Sequence, residues 1–116
     1  MQPDFSLEKY RHDLEIVRLT AAQVMKDLEV FGIDIHFSGD PYRAYDELLL
    51  QLVPILSGLY KNNASVFSAL LYRIDLSEKE YRRIMAGAES MTRLSEAVIQ
   101  REFKKVLIRK YFSSKD

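Results

Sequence analysis

Between Asp40 and Tyr60 the chain reads DPYRAYDELLLQLVPILSGLY, and no other stretch restricts the fold so tightly. Asp40 is suited to accept the orphan N–H groups of a first helical turn. Pro41 brings the fixed φ that suits the first helical position. Stepped at about 100° per residue, Tyr45, Leu48, Leu49, Leu52, Val53, Ile55, Leu56, Leu59 and Tyr60 fall on one broad face. Arg43, Asp46, Glu47, Gln51, Ser57 and Lys61 fall on the other, with Leu50 on the wrong side. A face that wide needs more than one neighbour to cover it, which makes this the expected central helix of a bundle. Pro54 cannot donate to the carbonyl of Leu50, so a kink or break is expected near Leu50–Val53. Two readings follow: a hinge or freed carbonyl used in binding, or, more plainly, a bend that wraps the helix around its core.

The length of 116 residues suits a single helical domain, 1–116, with room for a true core. An apolar fraction of 47% beside 29% charged residues is that of a folded chain and excludes disorder. With no cysteine there is no disulfide framework, thiolate metal site or cysteine nucleophile. No apolar run approaches the ~18–20 residues that span a bilayer, and the first residues lack the layout of a signal peptide, so a cytoplasmic location is expected. The charge is zero overall but unevenly spread. Residues 1–50 hold five basic and ten acidic groups, whereas residues 101–116 hold six and two. Such ends can attract each other within one chain or between two copies, or the basic end can meet an acidic partner.

Ahead of the central stretch, Ser6 is the expected N-cap of a first helix. Leu7, Tyr10, Leu14, Val17, Ala21, Val24, Leu28 and Phe31 then recur at alternating steps of three and four, a heptad seam of roughly 25 residues. Ile16, Leu19, Met25 and Val30 lie off that seam. The helix is therefore apolar on two faces, one for the core and one for another helix or another chain. Gly32 is placed to stop it in a left-handed conformation. Ile33, Ile35 and Phe37 then alternate with Asp34, His36 and Ser38 as a strand would, yet no second strand is found to pair with them. Gly32–Gly39 is accordingly expected as an extended connector with its apolar side chains under the helices. Pairing with the same segment of a second copy is the other outcome, and would make a dimer.

Beyond the central helix, Asn62-Asn63 reads as a cap and turn, followed by a short apolar helix ending near Asp75. Ser77 and Glu80 have the spacing of a capping box, with Leu76 and Tyr81 as its hydrophobic staple. A fourth helix stops at Gly87. The last runs from about Met91 to Phe112, with apolar residues in two sets, and between them Arg101, Lys105 and Arg109 form a basic ladder at i, i+4 and i+8. That stripe either pairs with the acidic front half or faces an anionic partner.

The C-terminal half, through Leu70-Leu71-Tyr72-Arg73-Ile74-Asp75, Glu78, Arg101-Glu102, Lys105-Val106, Arg109 and Tyr111, resembles a family of small uncharacterised bacterial all-helical proteins of unknown function. The resemblance implies no activity. It does imply that Arg73, Asp75, Arg101, Glu102 and Arg109 form one polar network between two helices, whose plainer role is to fix the register of the bundle.

Three constellations bear on chemistry. Glu8, His12 and Glu15, at i, i+4 and i+7, share a helical face and are ligand types for zinc or iron, which gives a metal-binding bundle as one alternative. Against it, no Glu-x-x-His motif occurs, and a solvated polar face explains the trio equally. No nucleophile elbow, phosphate-cradling loop or dinucleotide fingerprint is present, and no cofactor is expected. Residues 67–85 have the layout of a helix-turn-helix, the second alternative. There Asp75 replaces the usual glycine of the turn, and Glu78 and Glu80 oppose phosphate despite Arg82 and Arg83.

The expected fold is thus all-α, a single-domain bundle of four to five helices with a short extended connector. The expected function is a non-enzymatic helical module for protein–protein interaction or self-association, with no membrane partner. Its interface uses Ile16, Leu19, Met25 and Val30, with charge pairing from Arg101, Lys105 and Arg109.

Overall fold

Side-chain capping opens three of the five helices among the described residues. The computed structural model describes residues 13–113, and side chains to residue 110. Helix α1 spans Leu14–Glu29, capped by the Asp13 carboxylate, which accepts from the Ile16 N–H. The start expected at Ser6 lies outside the described residues. At its other end Gly32 adopts φ 72°, and the Ile33 and Gly32 N–H groups return to the carbonyls of Leu28 and Glu29 at 3.1 and 2.9 Å. This is a Schellman closure, in which glycine meets no Cβ penalty.

Helix α2, Ala44–Asn62, begins later than Asp40-Pro41 suggests. Asp40 instead folds an Asx turn: its carboxylate accepts from Tyr42 N–H at 3.0 Å and its carbonyl from Arg43 N–H at 3.0 Å. Arg43 then precedes the helix without a side-chain cap. The helix runs unbroken through Pro54, which is exposed. Asn63 ends α2 and opens α3 (Ala64–Ile74), its side-chain oxygen accepting from Val66 N–H. Helix α4 (Glu78–Met85) is capped by Ser77, whose hydroxyl accepts from Glu80 N–H at 3.1 Å. The Glu80 carboxylate turns away to Arg83 at 3.0 Å, so the capping box forms in one direction only. Helix α5 covers Ser90–Ser113.

The connector between α1 and α2 is extended, and no strand occurs among the described residues. Its backbone groups are met by side chains of α2. The Gln51 amide accepts from His36 N–H at 2.8 Å and donates to the His36 carbonyl at 2.6 Å, the two bonds a neighbouring strand would have supplied. Glu47 accepts from Ser38 N–H at 2.9 Å, a bond that holds its carboxyl below the usual range. With those bonds made, Ile35 is buried and Ile33 and Phe37 pack against the core.

The helix that touches all four others is α5, not α2. Along it Leu94, Val98 and Ile99 join Val24 and Leu28 of α1, Leu48, Leu52 and Leu56 of α2, and Leu70, Leu71 and Ile74 of α3 in the main core. A second cluster unites Phe103, Val106 and Leu107 with Ile16 of α1. Leu94 and Val98 on one side of this helix and Ile99, Phe103, Val106 and Leu107 on the other are all buried, while Ile108 is exposed, and that double burial makes it the axis of the bundle.

Candidate functional site

Two rows run along α1. Ala21, Val24 and Leu28 continue the heptad seam into the main core, while Ile16, Thr20, Gln23 and Asp27 form a second buried row. A matching row on α5 passes through Ile99, Glu102 and Val106. Each second row thus begins apolar and then places polar groups where water does not reach. Burial of that kind demands partners.

Asp27 finds them. Its Oδ1 accepts from Gln23 Nε2 at 3.1 Å and from Arg73 Nε of α3 at 3.0 Å. Its Oδ2 accepts from Lys105 Nζ of α5 at 3.1 Å. One carboxylate, 2% exposed, therefore ties three helices together. Next to it, Gln23 Oε1 accepts from Arg109 at 2.7 Å. Burial pushes the Asp27 carboxyl upward, but hydrogen bonds from Glu102, Gln23 and Lys105, with the Lys105 charge, outweigh it and hold the group below its ordinary value.

Glu102 is different. It is fully buried, and neither carboxylate oxygen receives a directed hydrogen bond. Lys105 Nζ stands 2.8 Å from Oε1 but is aligned on Asp27. Burial first, and then the hydrogen bond to Asp27, push the Glu102 carboxyl up to about 8 against the pull of Lys105. The two carboxyl groups fit together as an acid and its acceptor. A carboxyl that keeps its proton has a hydrogen to give to ionised Asp27 and needs no donor of its own.

The five residues grouped by the resemblance divide between two places. Arg73 and Glu102 belong to the Asp27 junction, and Arg109 joins it through Gln23. Arg101 and Asp75 form a separate clamp: Arg101 donates from Nε to the Asp75 carbonyl at 3.0 Å and from its terminal nitrogen to the carboxylate at 2.9 Å. Asp75 sits at φ 66°, where glycine is usual, closing α3 through Leu76 N–H to Leu71 O at 3.1 Å. The clamp holds a backbone shape that an L-residue otherwise resists.

The basic stripe Arg101, Lys105 and Arg109 thus bonds within the chain, to Asp75, Asp27 and Gln23. Of the residues expected at an interface, Ile16 is corrected to core: it is 1% exposed, covered by Phe103, Val106 and Leu107. Met25 packs partly buried on the main core. Leu19 and Val30 are exposed, at 42% and 56%.

Glu8 and His12 lie outside the described residues, and Glu15 comes within 3.4 Å of Lys110. Among the described residues no group of three or more His, Cys, Asp or Glu gathers as a metal site. In the 67–85 segment Arg82 pairs with Glu78 at 2.6 Å and Arg83 with Glu80 at 3.0 Å, so both guanidiniums are balanced on their own helix. An open groove of about 470 Å³ between α4, α5 and the start of α2 is lined by Glu80, Arg83, Arg93 and Glu96, a mixture of opposite charges. No helix is long and apolar enough to cross a membrane among the described residues.

Asp27 and Gln23 escape sequence reasoning because helix surfaces are full of such residues. The usable signal is their position, four apart on a row opened by Ile16. No family model matches the chain, and no curated protein or solved structure is significantly similar to it.

Proposed function

We propose that the protein is a non-enzymatic helical module that self-associates through the outer face of α1. The supporting observation is that Leu19, Ala22, Lys26 and Val30, spaced as one helical stripe, are all exposed. The stripe is short and apolar at both ends, with a lysine whose stem can lie over a small residue.

A second copy packed antiparallel, with its two-fold axis near residue 24, complements this stripe with itself. Leu19 then meets Val30 of the other copy, and Ala22 meets the stem of Lys26. Arg18 and Glu29, both exposed and along one edge of the same stripe, come opposite each other. Neither makes an ion pair among the described residues.

The test is a pair of variants read by sedimentation and circular dichroism. Leu19→Glu with Val30→Glu should give monomers of unchanged helicity, because both side chains are outside the core. Arg18→Glu should weaken association, and Arg18→Glu with Glu29→Arg should restore it. Association untouched by the Leu19/Val30 pair would reject this face.

A further inference from the structure

We propose that the junction of α1, α3 and α5 is a protonation-gated lock, closed when Glu102 is a neutral acid and loosened between α1 and α5 when it ionises. Glu102 has no exposure and no directed donor on either oxygen. The charged groups that face it are Asp27, from α1, and Lys105, from its own helix. The cations of the junction are already aligned on Asp27: Arg73 at 3.0 Å and Lys105 at 3.1 Å. An ionised Glu102 therefore sets a second carboxylate beside Asp27 and shares Lys105 with it, the Nζ standing 2.8 Å from Glu102 Oε1 and 3.1 Å from Asp27 Oδ2. Repulsion between the two carboxylates and division of one ammonium between them weaken the α1–α5 contact that the proton holds.

The direction with pH follows from the raised value of about 8 against the ordinary 4.5. An unfolded chain loses this proton near 4.5, whereas the folded chain keeps it until near 8. Stability from Glu102 is complete below the lower value and is lost as pH rises through the window, then changes no further. Asp27, held low, acts oppositely: its contribution is present at neutral pH and lost in acid. The two effects occupy separate windows.

The experiment compares the full chain with Glu102→Gln, a neutral side chain of the same shape, by urea unfolding from pH 5 to 9. For the native chain the unfolding constant should rise by up to about tenfold per pH unit across the window and level off above about 8. Glu102→Gln should lack that rise and be the more stable protein at pH 9. Protection factors of α1 amides, corrected for intrinsic exchange, should fall over the same range in the native chain alone. Parallel pH profiles in the two proteins would overturn the proposal. Should Glu102→Gln not fold, the carboxyl carbon of Glu102 in the native chain is titrated by NMR. A midpoint well above 6 supports the lock, and one near 4.5 overturns it.

Discussion

Asp27 is the residue whose loss the bundle should feel most at its polar junction. Removing it leaves Arg73 and Lys105 without their shared acceptor, though both are partly open to water, at 37% and 23% side-chain exposure. That access lowers the cost below the several kcal/mol expected for a wholly buried pair. Asp27→Ala should therefore destabilise by about 2–3 kcal/mol in urea unfolding at pH 7. The same substitution frees Lys105 for Glu102 and removes the facing negative charge, so the Glu102 carboxyl should titrate lower in a carbon-detected NMR experiment. Asp75 poses the opposite question, because its backbone is strained but its side chain is clamped. Asp75→Gly should be more stable than Asp75→Ala by about 1 kcal/mol, since only alanine keeps the left-handed penalty after the carboxylate is gone. Equal unfolding midpoints would mean that Arg101 removes the strain through the carbonyl alone. Little of this was legible in the chain. Arg101, Glu102 and Asp75 attract attention as charged residues amid apolar ones, but their partners lie 26 and 75 positions away and no local pattern names them.

At the level of single elements the legible parts are those decided by neighbours in the chain. Gly32, Asn63 and Ser77 act as caps where short-range rules place them, because Asn63 and Ser77 need only a side chain and the next three N–H groups, and Gly32 only a positive φ and the carbonyls of the turn before it. Asp40-Pro41 misleads for the same local reason: an Asx turn and an N-cap use one carboxylate alike, and the choice depends on where the following turn packs. The connector shows what alternation alone leaves out. Ile33, Ile35 and Phe37 do point to the core, but Gln51, fifteen residues on, replaces the missing strand. Gln51→Glu should then open the connector, since a carboxylate cannot donate to the His36 carbonyl. Faster amide exchange at His36, with a stability loss of about 1–2 kcal/mol, is the expected result. Pro54 offers a complementary check. It is exposed in an unbroken helix, so Pro54→Ala should stabilise by about 1 kcal/mol or more by returning a donor to the Leu50 carbonyl. A loss of stability instead would mean that the core is shaped around a bend set by the proline.

For the whole molecule, all-α architecture was readable from periodicity, whereas the identity of the central helix was not. Helix α2 carries the widest single apolar face, yet α5 is enclosed on two sides, and its interleaved Arg101, Lys105 and Arg109 disguise this as a surface stripe. Part of the uneven charge of the chain is matched within it. The basic end closes on the acidic front through Lys105 to Asp27 and Lys110 to Glu15. The outside of α1 exposes Leu19, Ala22 and Val30 beside Arg18, Lys26 and Glu29. The most direct measurement of that account is molar mass by light scattering after size exclusion, over a range of protein concentrations, at low and at high salt. Self-association through α1 predicts a mass that climbs from 13.6 kDa toward twice that value with concentration and persists in high salt. A monomer at every concentration, or an assembly that salt dissolves, would contradict it.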